Sequence, residues 1–448
     1  MELHEIVEKT VAYLEKNGQI DDAIVTADSS LVNQIRFSKN QIIVSKSWQE
    51  IDLSIFLSKD KKVATTSITD LSSIDNIYRS LDDLLAFTKS LEPNKEYYGI
   101  AEGPLKASET PDIYDPKLKD FFQIAVDKLD SALNIAMEEG AKDSAGTLDW
   151  SMGNIYTKTN HNIEMEEKSS RYQFVIRSFV SPTESGQGLS VGRMLNQMDM
   201  TQAGQNAGYI ANASRGGKPG KGGTFNALLS PTVVADIVAR TPDGANPFNL
   251  ETGNSWLNDK LGEQLASEHF TVHDDGRMKN GWGSQIVDDE GVPTQRTTIF
   301  EKGVFKGLIH NTNTARKYGT ESTGNAGVLF PRNMNLVFEP GDYSFDEMIK
   351  ECKKPTIYVT SNWYTRTTSA IEGVFSTIPR DGMFLIENGE IQKPIRELRI
   401  SDSYPNLIKN ITGVQNKLRQ IKWWVEVVTP TFAPAMLIEN INFSTGTK

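Results

Sequence analysis

Between Ile51 and Leu57 the chain alternates. Ile51, Leu53, Ile55 and Leu57 are apolar, while Asp52, Ser54 and Phe56 form a mixed opposite set. Successive strand side chains point to opposite faces, so the pattern predicts a strand with one buried face. Residues 34–44 read as a neighbouring strand. On either side the period becomes helical. Leu3, Ile6, Val7, Val11 and Leu14 share a face, with Asn17-Gly18 as a stop. Ile74, Ile77, Tyr78, Leu81 and Leu84 form a second stripe ending before Pro93. The clearest helix is predicted over 116–139: Asp115 can cap it, Pro116 suits its first position and Gly140 suits the left-handed stop. Its stripe is Leu118, Phe121, Phe122, Ala125, Leu129, Ala132, Leu133 and Ala136.

Strands are predicted at 154–159 and 170–179. The Gly-, Pro- and Lys-rich stretch 212–223 then reads as a loop and is taken as the domain boundary. Beyond it strands dominate: 225–229, 270–273, 297–300, 304–310 with a Lys302-Gly303 turn before it, 356–360, 423–428 and 436–443. Helices are expected after Pro231, over 256–266, and from a capping box at Ser344 and Glu347 to Cys352. Residues 384–400 predict a hairpin, with Asn388-Gly389 as its type I′ turn and Ile391 opening the return arm. The expected class is α+β: an N-terminal α/β-layer domain over 1–210, then a β-rich, barrel-like C-terminal domain over 211–448.

Composition narrows the function. With 38% hydrophobic and 23% charged residues, the 448-residue chain reads as a globular protein of two domains. A net charge of −11 offers no electrostatic reason to bind nucleic acid or an anionic membrane. The single cysteine, Cys352, excludes an intrachain disulfide framework and multi-cysteine metal sites. No apolar run is long enough to span a bilayer, and the acidic start MELHEIVEKT is unlike a signal peptide, so a cytoplasmic location is expected.

Residue spacing alone yields no catalytic site. Gly216 to Gly220-Lys221 is one residue short of a P-loop, and Gly222 stands where a hydroxyl is needed. Gly186-Gln-Gly188 has no following helix pattern for a dinucleotide fingerprint. His269 and His273 have metal-ligand spacing for a helix, but His-Phe-Thr-Val-His reads as a strand. Residues four apart there are about 13 Å distant, so exposed strand histidines are the reading. His4-Glu5 begins like a zincin motif without its second histidine. No Gly-x-Ser-x-Gly elbow occurs, and Cys352 has no histidine near it in sequence. The basic stretch 409–422, followed by Trp423-Trp424, reads as a solvated or protein-contact face.

Several blocks, in this order, resemble the TldD/PmbA family over nearly the full length: Gly223-Thr-Phe-Asn-Ala-Leu-Leu-Ser-Pro231, the Thr294 to Gly307 hairpin, Asn313 to Gly319, Ser322 to Gly327, Arg332-Asn-Met-Asn335 with Pro340-Gly341, and the 384–400 hairpin. The blocks at 313–327 are similar to the PmbA, or TldE, branch. The resemblance implies a peptidase pair in which the TldD subunit carries a His-Glu-x-x-x-His helix and a cysteine ligand. Here the window taken as equivalent, 239–244, holds neither His nor Glu, and Pro242 is expected to interrupt a helix. The expected cysteine region reads Arg419-Gln-Ile-Lys-Trp-Trp424. The implied role is a non-catalytic subunit, without a cofactor of its own, that pairs with a zinc-bearing TldD subunit acting on small or unfolded peptides, and that can self-associate in isolation. The groove residues implied are His310, Asn313, Arg316, Arg332 and Asn335. The alternative is a regulatory protein of the gyrase-modulator type, acting without proteolysis.

Overall fold

The structure, a computed structural model, describes residues 2–18, 20–106 and 112–445. Long antiparallel strands dominate its first half: β1 (Asp22–Ser38), β2 (Gln41–Lys59), β3 (Lys62–Ile68), β4 (Asp143–Thr159), β5 (Glu164–Ser181) and β6 (Glu184–Gly192). They form one sheet in the order β3-β2-β1-β4-β5-β6. Two-residue turns with positive φ, at Lys39-Asn40 and Asp60-Lys61, join the first three strands. The expected strand over 34–44 therefore crosses a hairpin turn. Polar Lys39-Asn40 was its signal, and the apolar residues flanking it hid the break.

Helices α1 (Leu3–Gly18), α2 (Ile74–Ser90), α3 (Phe122–Glu138) and α4 (Met200–Ala213) cover one face of this sheet in two pairs. The first pair packs Val7, Val11, Leu14 and Leu81 onto Val25, Ala27, Leu53, Ile55 and Leu57. The second packs Leu129, Leu133 and Ala203 onto Phe37, Leu148, Phe174 and Ile176. The helix expected over 116–139 is divided. Asp115 caps Lys117, Pro116–Asp120 winds as a 3₁₀ turn, and α3 starts after Phe121. Tightening of a first turn is a common way to satisfy its unpaired amides. Gly186 and Gly188 lie in β6 under α4. A Cβ on them would stand 2.2 Å from the Ala207 carbonyl oxygen and 1.9 Å from that of Ala203. They let helix and strand backbones touch, which is a packing role.

The second half contains a closed five-stranded barrel. Its strands are β7 (Gly223–Leu229), β8 (Thr356–Ser369), β9 (Val374–Glu387), β10 (Leu398–Ser403) and β11 (Met436–Thr445), and each pairs with its neighbour around the ring β8-β7-β11-β10-β9. Asn388-Gly389 turns β9 into Glu390–Arg396, both turn residues having positive φ. Residues 398–400, expected in the same arm, instead join the ring through β10. Six further strands make a flanking sheet, ordered Val304–Phe305, Arg296–Glu301, Val272–Asp275, Leu336–Phe338, Val427–Ala433 and Arg419–Trp423. The capping box at Ser344 and Glu347 is present as expected.

Other boundaries differ. Residues 256–266 form turns, because Asp259 and Gly262 have positive φ, and a short helix occurs earlier at Pro247–Glu251. The strand expected at 304–310 ends at Phe305. Residues 423–428 span a hairpin bend, with Trp424 at positive φ. His269 lies in a turn and only His273 is on a strand, where it is buried between Thr298 and Glu339 rather than exposed. Among the described residues no helix is long and apolar enough to cross a membrane.

Candidate functional site

Strand β7 runs into a helix at Ser230, whose hydroxyl accepts the Val233 amide, and Pro231 fills the first helical position. The helix is composite: an α turn at Pro231–Val233, a π turn at Val234–Val238 and an α turn at Arg240–Asp243. The Ala239 amide reaches back five residues to the Val234 carbonyl at 3.0 Å. Such π turns concentrate at functional positions of helices. Pro242 does not interrupt this helix. It sits in the final turn, where the chain is already ending at Gly244.

On this helix Asp236 and Arg240 occupy the spacing of the Glu and second His in His-Glu-x-x-x-His, with Ala235 in place of the first His. By spacing, 235–240 stands beside 239–244, the window read from sequence, and neither holds a His or a Glu. The Asp236 side chain is fully buried. One oxygen accepts from Arg240 Nη2 at 2.8 Å, and the other accepts from Asn362 and Thr365. Arg240 also donates from Nε to the Asp236 carbonyl at 2.9 Å and from Nη2 to the Glu426 carbonyl. The Glu426 carboxylate accepts the amides of Tyr364 and Thr365. Burial raises the Asp236 pKa against the opposing pull of Arg240. Burial works against the Arg240 charge too, but Asp236 outweighs it and the guanidinium is held protonated. A small cavity of about 90 Å³ lies between this helix and residues 425–429.

A divalent metal does not fit this arrangement. A permanent cation stands where the second histidine would be, and both Asp236 oxygens already have partners. The helix therefore supports no metal-assisted step. A His4, Glu8 and Glu164 cluster brings its ligand atoms within 4.8 Å of one another, but the Lys158 ammonium reaches both carboxylates, at 2.5 and 3.7 Å, and already supplies the positive charge. Cys352 is buried, donates to the Met348 carbonyl, and has its pKa raised by burial, so it is a packing residue.

The five groove residues expected from sequence each have partners within the chain, and His310, Arg332 and Asn335 are linked through Thr323, Asn325 and Asp274. His310 is buried, its Nδ1 3.1 Å from the Thr314 hydroxyl, and burial lowers its pKa to about 4. Asn313 and Arg316 lie on the short helix Thr312–Tyr318 and hold the first half of the chain. Asn313 accepts the Tyr98 amide at 2.7 Å, while Arg316 donates to the Tyr98 carbonyl and pairs with Glu102. Arg332 pairs with Asp289 at 3.0 Å and bonds Gln285. These two acceptors line a cavity of about 200 Å³ between the β-sheet face and residues 285–289. Asn335 is wholly buried and bridges Gly283, Ser284 and Asp275.

Sequence reading did not single out the Asp236–Arg240 pair, although its spacing is visible in the chain. It also missed the buried carboxylates Asp274 and Asp288. Asp274 accepts from Asn325, Met334 and Asn335, and burial raises its pKa to about 7. Asp288 accepts the amides of Glu290, Val292 and Ala326, and burial with the nearby Glu290 charge raises its pKa.

Residues 222–445 match the PmbA/TldA metallopeptidase C-terminal domain. A metalloprotease of Methanocaldococcus jannaschii is 31% identical over 203 residues, 44% of each chain. The chain thus spans about half the length of the curated relatives it first matches. A PmbA homologue of Haemophilus influenzae is 22% identical over 93% of this chain and 92% of its own. In fold the chain is similar to TldE of Thermococcus kodakarensis, with a TM-score of 0.85, 21% identity, and 98% and 100% of the two chains covered. A Thermotoga maritima protein, a suggested modulator of a DNA gyrase, gives the same TM-score at 22% identity, covering 99% and 100%. With half its length matching the family's own C-terminal domain and its fold shared throughout, the chain belongs to the PmbA/TldD family.

Proposed function

We propose that this chain is a non-catalytic, TldE-type subunit that pairs with a zinc-bearing TldD-type subunit, the pair acting on small or unfolded peptides. The observation that carries this is the Asp236–Arg240 ion pair on the helix that follows β7, where the resemblance implies the ligand helix of the peptidase branch. A site built around a bound cation has here been replaced by an internal one. Next to it the hairpin bend presents Trp424, Val425 and Val428, each about two-thirds exposed, with Tyr364 beside them. Exposed aromatic and branched side chains grouped at one place favour a protein interface.

The test is reconstitution. The purified chain, a metal-bearing family member, and their mixture are assayed for zinc content and hydrolysis of a denatured peptide substrate. Zinc in the metal-bearing member and activity highest in the mixture are expected, with Trp424→Asp/Val428→Asp abolishing the gain. Chelator-resistant hydrolysis by this chain alone would overturn the proposal.

A further inference from the structure

Near the start of the composite helix, away from the Asp236–Arg240 pair, lies a cavity of about 480 Å³. That volume lies within the range of small-ligand pockets. Phe345, Tyr358 and Phe384 form an aromatic wall, with ring centroids 5.3 Å apart for Phe345 and Tyr358 and 6.0 Å for Tyr358 and Phe384. Leu189, Ile210 and Ile349 complete the apolar lining. Arg419 is the cavity's one cation. Among the described residues its one hydrogen bond to an acceptor is long, Nη2 to the Leu189 carbonyl at 3.4 Å, and it has no ion-pair partner. The other charged lining residue, Asp346, is solvent-exposed. Gln187 also lines the cavity, and its buried Oε1 has no hydrogen-bond donor.

A half-buried guanidinium with no carboxylate in contact is left partly uncompensated, and its planar donor pairs match a carboxylate bidentately. Burial lowers the Arg419 pKa, and the more distant Asp199 charge opposes it only in part. An aromatic wall takes a large apolar side chain. The unclaimed Gln187 oxygen suits an N–H beside that side chain, reached by rotation about the soft terminal torsion of the amide.

We infer that this cavity binds an N-acylated α-amino acid with a large apolar side chain, its carboxylate on Arg419, its N–H toward Gln187 and its side chain against Phe345, Tyr358 and Phe384. The C-terminal residue of a peptide and a free N-acyl amino acid share this chemistry. The inference does not depend on the subunit role proposed above, because the site lies apart from the Asp236–Arg240 pair.

Calorimetric titration of the full chain decides it. The probes are N-acetyl-L-phenylalanine, its C-terminal amide, N-acetylglycine, and the tripeptide acetyl-Gly-Gly-Phe as free acid. Saturable binding of N-acetyl-L-phenylalanine or of the tripeptide is expected. Amidation should weaken it at least about tenfold, as the loss of one charge-assisted contact implies. N-acetylglycine should bind more weakly still. Tighter binding of the tripeptide assigns a peptide terminus, and equal or tighter binding of the single residue assigns a free acid. Arg419→Gln should abolish binding while the far-ultraviolet circular dichroism is retained. Equal affinity for acid and amide on the unaltered chain would overturn the inference even if that variant fails to fold, and so would no binding of either acid.

Discussion

At the scale of single residues, the buried charges decide what this chain can do. Asp236 is buried, and Arg240, Asn362 and Thr365 surround it and oppose the rise that burial imposes on its pKa. Removing one partner of a buried pair costs more than removing both, since it strands the other charge. Arg240 is one-third exposed, so water offsets part of that cost. Arg240→Met is therefore expected to lower stability by about 2 kcal/mol, and Asp236→Asn combined with Arg240→Met to recover at least about half of it. Urea unfolding of the two variants checks this. His310 makes a second, pH-dependent case. Burial depresses its folded pKa to about 4 from the usual 6.5. Between these values the unfolded chain binds the proton and the folded chain does not. Its contribution is thus intact above about pH 6.5 and is lost as pH falls toward 4, up to about 3 kcal/mol. Asp274 works in the opposite direction, since its raised folded pKa favours the fold as pH falls below about 7. The His310 term is isolated by comparing urea midpoints of the unaltered chain and His310→Asn. The variant should lose less stability between pH 6.5 and 4.5, and parallel pH curves would contradict the assignment.

At the scale of elements, the strand period and the caps were legible in sequence, while boundaries set by backbone geometry were not. The capping box at Ser344 and the Asn388-Gly389 turn are local chemistry and appear where expected. The Lys39-Asn40 turn lacks glycine, so 34–44 read as unbroken; its positive φ values come from hairpin pairing that only the assembled sheet imposes. Residues 256–266 carry helical-looking apolar spacing because Trp256, Leu257 and Ala266 all reach the barrel core from a turn-rich path. The Asp236–Arg240 pair went unread for a related reason. A π turn and a terminal proline disguise the helix, and Asp236 with Arg240 carries no metal-binding signature to mark it. Shared blocks also carry architecture, such as the Asn335 bridge. The β6–α4 contact offers an element-scale test. Gly188→Ala puts a Cβ 1.9 Å from the Ala203 carbonyl, a clash of two backbones that no rotamer relieves. A loss of about 2–3 kcal/mol is expected in thermal or urea unfolding. Gly216→Ala, where nothing lies within 4 Å, should cost only the strain of a residue at positive φ, about 1 kcal/mol.

At the scale of the whole molecule, the question is what makes the helix-covered sheet and the barrel half act together. Asn313 and Arg316 clasp residues 98–102, and Gln173 bonds the Lys422 carbonyl, but both contacts lie at partly exposed positions. The stronger tie is Arg193. It is fully buried just after β6 and donates to the carbonyls of Gly281, Trp282 and Ser284 in the second half and, at longer range, to Ile113 and Ser170 in the first. Burial and the nearby Arg171 charge push its pKa down, the Glu167 charge opposes them, and its direct contacts are all carbonyls. Its backbone amide also bonds the Asn280 side chain. One planar group with five donors thus satisfies carbonyls that would otherwise be buried without partners. Lysine keeps the charge but has three donors on one atom and cannot span the same acceptors. Arg193→Lys is accordingly expected to cost about 3 kcal/mol or more, from stranded carbonyls at about 1–3 kcal/mol each. The loss should fall on the contact between the halves rather than inside either. Scanning calorimetry should then resolve two transitions where the unaltered chain shows one, and limited proteolysis should cut first near residues 278–284. A single transition merely shifted to lower temperature would place Arg193 inside one cooperative unit and deny it the role of joining two.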